Sequence, residues 1–302
     1  MKLEEIIANE KTVNLRDLAL DRELAGEIQN RLIKLGCLDP PADGAFGPVS
    51  TFVLGLFAKE ARVAFDDAID KPLAAALLDH SEDTFLPITP GNDFAGKIIK
   101  YMQLRNYWIA RLPGFLNIVY VEGADGNGVP NADRRNEFND RRTVIAIEDG
   151  KPKMKLNVLG STEPGDYYTN NPMNPLGAAR IAFNQYKAWR VGTHNAGKRS
   201  AHEALVQVGE ITVHRDLDRN GFRTGDRLDV GAAFAINQHS GFDAPLNNIG
   251  RSSAGCLVSR TTADHREFMR LIKTDPRYRK AVSGYRFLTT VIAGDDLRDK
   301  IG

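Results

Sequence analysis

The sequence predicts an α+β fold, with a small three-helix module at the N-terminus and a mainly β domain after it. Two observations carry this. Before residue 80, apolar residues recur at helical spacing, as in Leu24, Ile28, Leu32 and Leu35. From Phe115 onward, short β-type runs alternate with Gly, Asn, Asp and Pro turns.

The first helix ends at Gly36, a plausible C-cap. The run Asp39-Pro40-Pro41-Ala42-Asp43-Gly44-Ala45-Phe46-Gly47-Pro48 is dense in turn formers. A second helix is expected from an N-cap at Ser50 through Phe52, Leu56 and Phe57, and a third over Leu73 to Leu78. Residues 81–95, with Pro87, Pro90 and Gly91, read as a linker between a helical domain at 1–80 and a second domain at 96–302. That domain opens with a helix over 96–112 carrying Ile98, Ile99, Met102 and Trp108. Strands are expected at 116–121, 143–147, 156–159, 211–214, 234–238, 255–259 and 287–292, with one helix at 263–273.

With 302 residues, 42% hydrophobic and 26% charged, the chain can bury two ordinary cores. A net charge of +1 gives no global field toward nucleic acid or an acidic membrane, so no nucleic-acid partner is expected. No apolar run approaches the ~18 residues of a membrane span. Met1-Lys2-Leu3-Glu4-Glu5 does not read as the start of a secretory leader. Only Cys37 and Cys256 are present, which excludes four-cysteine metal sites. A disulfide between them would tie the two domains together; Cys37 reads instead as core at a helix end.

Chemistry concentrates in Ile236-Asn237-Gln238-His239-Ser240-Gly241 and Ile249-Gly250-Arg251-Ser252-Ser253-Ala254-Gly255-Cys256-Leu257-Val258. His239 closes one apolar strand, and Cys256 opens the next after a Ser-x-Gly turn, 17 residues later. A thiol becomes a nucleophile when a base lies within about 3 Å. Gly255 would let the backbone pass under an incoming carbonyl and aim the Gly255 and Cys256 amides at an oxyanion. The plainer alternative is a buried strand cysteine beside a surface histidine.

Two resemblances follow. Gln29-x-x-Leu32-x-x-Leu35-Gly36, followed by Asp43-Gly44-Ala45-Phe46-Gly47-Pro48, resembles the peptidoglycan-binding three-helix domain. It implies peptidoglycan as partner, with Asp43, Gly44 and Phe46 at the binding turn. The His239 strand end with Ser253-Ala254-Gly255-Cys256 resembles the L,D-transpeptidase family, whose signature ends in [S/T]-x-G-C. That resemblance implies a small β-sandwich, here with insertions at about 122–140 and 160–205. It makes Cys256 the nucleophile, His239 the base and the Ser240 carbonyl the group that orients the ring, with Ser253 matching the motif's hydroxyl. Ala254 stands where many members carry a second histidine, and Val258 where an arginine or asparagine is usual. The implied reaction is cysteine-dependent acyl transfer or hydrolysis on stem peptides, in the cell envelope or after phage-type release, without a cofactor. A stem-peptide carboxylate wants a bidentate arginine, for which Arg251 is the candidate.

Two readings from other classes stay open: a non-catalytic wall-binding scaffold, and a zinc-dependent murein peptidase built on His194, His202 and His214. The histidine spacing matches no zinc signature, so no metal is expected. Asp216-x-Asp218-x-Asn220-Gly221 opens like a calcium loop, but Arg227 occupies the twelfth position, where a bidentate Glu belongs. It reads as an Asx-rich hairpin turn. His80 and His265 read as surface residues.

Overall fold

The computed structural model describes residues 1–281 and 284–302. Its first part is helical: α1 (Leu3–Ala8), α2 (Leu15–Leu18), α3 (Arg22–Lys34), α4 (Pro48–Glu60) and α5 (Lys71–Asp79), with a short antiparallel pair β1 (Val13–Asn14) and β2 (Ala68–Ile69). The three expected helices are α3, α4 and α5. Asp21 caps α3 by accepting from the Leu24 N–H at 3.0 Å, and Asp70 caps α5 through the Leu73 N–H at 3.0 Å. Ser50 is not a cap. Pro48 opens α4 instead, where its missing N–H costs nothing. Ser50 is buried one turn in, and its hydroxyl accepts from Gln29 at 3.3 Å.

The apolar stripe of α3 (Leu24, Ile28, Leu32) packs with Phe57, Leu73 and Leu77 in one core. Cys37 lies inside it, fully buried and unbridged, with its thiol pushed well up by burial. The same core takes in Ala110, Leu112 and Phe115 from beyond the 81–95 stretch. Trp108 Nε1 donates to the Ile33 carbonyl at 2.9 Å, and the Arg111 N–H donates to the Gly36 carbonyl at 2.9 Å. Gly36 has φ +71°, and a Cβ there would meet the Ile109 carbonyl and the Arg111 side chain at 2.7 Å. The helix expected over 96–112 is α6 (Phe94–Leu104). Asn106, at φ +54°, turns the chain, and Trp108 is thereby freed to reach back to the first helices.

The second part is mixed. In chain order it holds β3 (Leu116–Glu122), β4 (Asp140–Glu148), β5 (Lys151–Ser161), α7 (Asp166–Asn170), β6 (Ala178–Ile181), β7 (Asn184–His194), β8 (His202–Gln207), β9 (Ile211–Asp216), β10 (Arg227–Gly231), β11 (Gln238–Ser240), β12 (Leu257–Ser259), α8 (Thr262–Ile272), α9 (Pro276–Lys280), β13 (Phe287–Ala293) and α10 (Gly294–Ile301). The whole is α+β. The β architecture, however, is not a two-sheet sandwich. Eight strands close in the order β11-β12-β5-β4-β3-β13-β7-β8, and β10-β9-β6 form a separate three-stranded sheet. The expected insertion at 160–205 supplies β7, which pairs with both β13 and β8 and so closes the ring. Two contacts in the ring are parallel, β13 with β3 and β11 with β12.

Buried polar groups lock the layers. Arg142 on β4 is fully buried over the Phe268 ring at 4.3 Å. It donates to Ser259 Oγ at 2.6 Å, to the Leu257 carbonyl at 2.9 Å and to Tyr120 Oη, so it holds β12 from behind. Asp39, in the connection between α3 and α4, receives Arg277 and the Tyr285 hydroxyl, the latter at 2.8 Å; Arg277 also binds Asp275 at 2.6 Å and the Leu116 carbonyl at 2.9 Å. All four side chains are buried. Removing one partner of such a set strands the others. Asp39→Ala is therefore expected to lower stability by about 3–5 kcal/mol, read as a shifted midpoint in urea unfolding. An unchanged midpoint would show that the cluster contributes little to holding the two parts together.

Candidate active site

The two signature segments meet because β11 and β12 pair in parallel, with Gln238 opposite Leu257, His239 opposite Val258 and Ser240 opposite Ser259. The chain returns through a loop that closes with the Ser253-Ala254-Gly255 turn. Ser253 Oγ accepts from the Gly255 N–H at 3.1 Å and donates to the Cys256 carbonyl at 2.9 Å. Gly255 sits at φ +114°, and a Cβ there would lie 2.2 Å from the Ala179 carbonyl oxygen. Only glycine fits that crossing.

Cys256 and His239 line one cavity of about 550 Å³. His194, Asn237, Phe234, Lys198 and Arg251 also line it. Cys256 is 8% exposed. Its Sγ receives the Asn237 N–H at 3.4 Å and points its own hydrogen at the Ala235 carbonyl at 3.5 Å. Burial raises the thiol to about 11, opposed by the Asn237 N–H. Among the described residues no hydrogen bond joins Sγ to an imidazole, so the direct contact expected with His239 is not made in this state.

The His239 ring is fixed from its other edge. Nδ1 lies 2.7 Å from the Ser240 carbonyl, which can only accept, so Nδ1 carries the proton and Nε2 is the basic nitrogen. Burial holds this imidazole well below its ordinary value, helped by His194. His194 stacks on it at 3.8 Å between centroids and 11° between planes. Its own value is lowered to about 4 by burial and by His202. Asn237 positions His194: its Oδ1 takes the Gln207 N–H at 2.9 Å, which turns Nδ2 toward His194 Nδ1 at 3.0 Å.

Several expectations need correction. Ser253 is 1% exposed and both its hydrogen bonds shape the turn, so it is not placed to touch a substrate. The Gly255 amide is held by Ser253 Oγ, which leaves the Cys256 amide as the remaining oxyanion donor of the expected pair. At the N-terminal turn, Gln29 Nε2 donates to Asp43 Oδ1 at 2.9 Å and to the Ala45 carbonyl at 3.1 Å, while its Oε1 receives the Asp43 and Gly44 amides at 3.1 and 2.8 Å. Phe46 is half-buried against the helical core. Asp43, Gly44 and Phe46 therefore sit in a turn that Gln29 braces from within, with Asp43 exposed and lining a cavity of about 560 Å³. His265 is buried, not on the surface: its ring lies between the Glu203 carbonyl at 2.8 Å and Arg142 at 3.1 Å, and burial lowers it to about 3. His80 is partly covered by Phe57 and Phe85, with ring centroids 6.1 and 5.2 Å away.

Arg251 remains an open candidate. It is exposed at the cavity, stacks over the Tyr167 ring at 3.6 Å and has no acidic partner among the described residues. The three histidines of the zinc reading do not converge. His202 Nε2 receives the Ser240 N–H at 3.3 Å, His194 Nδ1 is held by Asn237, and His214 lies on β9 in the separate sheet. Among the described residues, the group whose ligand atoms converge as a metal site would need is Asp216, Asp218 and Asp226, without a histidine. His194 as the stacking partner, Asn237 and Lys198 were not singled out for this site from sequence; only the position of Asn237 two residues before His239 offered a signal.

No family model matches the chain, and no curated protein matches it. A solved structure of a fused zinc-dependent amidase/peptidase/peptidoglycan-binding domain-containing protein from Clostridium acetobutylicum aligns over 93% of this chain and 99% of that one, at 13% identity and a TM-score of 0.29. An overlap of that quality carries no argument about fold or site.

Gly255→Ala tests the turn. It forces a β-carbon onto the Ala179 carbonyl at a positive φ, so it is expected to cost about 2–4 kcal/mol. Thermal unfolding would show a fall of several degrees, and a midpoint within error of the parent would mean the turn adapts.

Proposed function

We propose that this protein is a cysteine-dependent acyl transferase or peptidase acting on peptidoglycan stem peptides, with Cys256 as nucleophile and His239 as base. The observation that supports it best is the shared cavity wall. The sulfur and an imidazole with a free Nε2 face the same space, and the Ser240 carbonyl fixes the imidazole's tautomer.

Both groups are neutral at rest, because burial raises the thiol and lowers the ring. A preformed thiolate–imidazolium pair is therefore not the ground state. Cys256 must turn from the Ala235 carbonyl toward the substrate, and His239 Nε2 takes the thiol proton as the C–S bond forms. The same proton goes to the leaving amine as the C–N bond breaks, leaving a thioester. Water or a second amine then attacks the thioester, giving its own proton to His239 as the new C–O or C–N bond forms, and His239 passes that proton to sulfur as the C–S bond breaks. The Cys256 amide is the oxyanion donor in this scheme, and Arg251, with no acidic partner, receives the stem-peptide carboxylate.

Incubation with a purified stem tetrapeptide tests the reading. Mass spectrometry is expected to find an acyl adduct on Cys256, absent in Cys256→Ala, and turnover about 10²–10⁴-fold slower in His239→Ala. Neither adduct nor product with the parent protein would sink the proposal. The acid limb follows from the buried ring. His239 must be neutral to act, and burial keeps it neutral below its ordinary value of 6.5, so log(kcat/KM) is expected to stay flat down through pH 6.5 and to fall only below it. A limb centred at or above pH 6.5 would contradict His239 as the base.

A further inference from the structure

The turn between β9 and β10 carries a second site. Asp216 ends β9, Asp218 lies in the turn and Asp226 precedes β10; one oxygen from each carboxylate lies within 4.8 Å of the others. Acidic clusters on turns are common without a ligand, and this one is distinguished by its buried member. Asp216 is 0% exposed. Its Oδ2 receives the Gly221 N–H at 3.0 Å and faces Arg180 Nε at 3.8 Å. Its Oδ1 is buried and has no hydrogen-bond partner among the described residues. Asp226 Oδ2 is likewise buried and unpartnered. Buried carboxylate oxygens are ordinarily satisfied, and two in one turn ask for a positive partner. Arg180 approaches the other oxygen of Asp216 through Nε at 3.8 Å, beyond hydrogen-bonding distance, and its Nη1 binds Glu163; its Nε and Nη2 are themselves buried without a hydrogen-bond partner among the described residues, so it satisfies neither free carboxylate oxygen.

We propose that Asp216, Asp218 and Asp226 form a binding site for a divalent cation of the calcium type. Three carboxylates from one irregular turn match a hard ion that accepts irregular oxygen shells, in preference to magnesium, which demands a strict octahedron and holds its waters. Asn220 braces the turn instead of ligating: its Oδ1 takes the Phe222 N–H at 2.7 Å and its Nδ2 donates to Asp218 Oδ2 at 2.8 Å. The reading of this stretch as a plain hairpin turn rested on Arg227 at the twelfth position. Asp226, one residue earlier, supplies the carboxylate that Arg227 lacks.

The site is joined to the rest of the molecule. Arg223, within the same turn, reaches across to Glu122 on β3 and donates to the Ile181 carbonyl at 3.1 Å. Arg215, next to Asp216, lines the cavity of Cys256 and lies over the Phe234 ring at 4.7 Å. A bound cation would therefore order the connection between the separate sheet and the ring of strands.

Isothermal titration of the full-length, chelator-cleared protein with calcium chloride, with magnesium chloride as the comparison, tests the inference. The expected result is one calcium site with Kd of about 10⁻⁵–10⁻³ M, weaker binding of magnesium, and a higher Tm in calcium than in chelator. Asp218→Asn, at an exposed position, and Asp226→Asn are each expected to weaken calcium at least tenfold, while Glu210→Gln at an exposed position outside the turn leaves it unchanged. Circular dichroism reports that each variant is folded. Absence of both heat and a Tm shift with millimolar calcium in the parent protein overturns the proposal, as does equal binding in folded Asp218→Asn and Asp226→Asn. Neither result bears on the Cys256 adduct, so the two proposals fail separately.

Discussion

The candidate site depends on a very short piece of sheet. Strands β11 and β12 are three residues each and run parallel, an arrangement that demands a long return connection and gains little from its own hydrogen bonds. Such a pair holds only if its neighbours hold it. Arg142 grips β12 from the adjoining wall, Ser240 Oγ meets Thr262 on α8 at 3.1 Å, and the Gly241 N–H returns to the Ser259 carbonyl at 2.6 Å. The Gly255 crossing over Ala179 fixes where the loop re-enters. Remove that support and nothing in the local sequence would keep sulfur and imidazole on the same side of one cavity.

The second theme is desolvation. His194, His202, His239 and His265 gather in one corner, linked by ring contacts of 3.8 to 5.8 Å between centroids. Three of these rings, His194, His239 and His265, are held below the ordinary imidazole value chiefly by burial, which favours their neutral forms. For His202 the Ser200 carbonyl lies 2.9 Å from Nδ1, which leaves Nε2 to accept from the Ser240 amide. Backbone groups set His239 and His202, the Asn237 side chain sets His194, and among the described residues no carboxylate is hydrogen-bonded to His239. Under the proposed function, such an imidazole would be a weak base available near neutrality, matched to a thiol that keeps its proton until a substrate arrives.

Much of the helical part was legible because it is written in a local code. Leu24, Ile28, Leu32 and Leu35 make one stripe, and Asp21 and Asp70 cap helices that the apolar spacing already marks. The strands with dense apolar runs, β3, β4 and β13, were legible for the same reason. Strand β7 was not: along Asn184–His194 buried Tyr186, Ala188 and Trp189 are interrupted by Lys187 and Arg190, and its pairing partners are distant in sequence. The closed ring therefore could not be inferred, and a sandwich was expected instead. At the site, His239, Ser240, Gly255 and Cys256 stood out through residue type and spacing. The stacking of His194 did not, because it is set by the pairing of β7 with β8. The turn at Asp43 was recognised, but not its bracing by Gln29, since only the folded molecule brings that side chain beneath it.

The helical core borrows Ala110, Leu112 and Phe115, and Trp108 is tied to the end of α3. The two halves of the chain consequently have no hinge of their own at that seam. A pull on the first helices would travel through the indole and the Asp39 cluster straight into the strands, with no slack to absorb it. If the front half grips a polymer, the rear half is held at a set reach along it, as the jaws of a gauge are, and the spacing of any cuts or joins would be a property of the molecule and not of a tether.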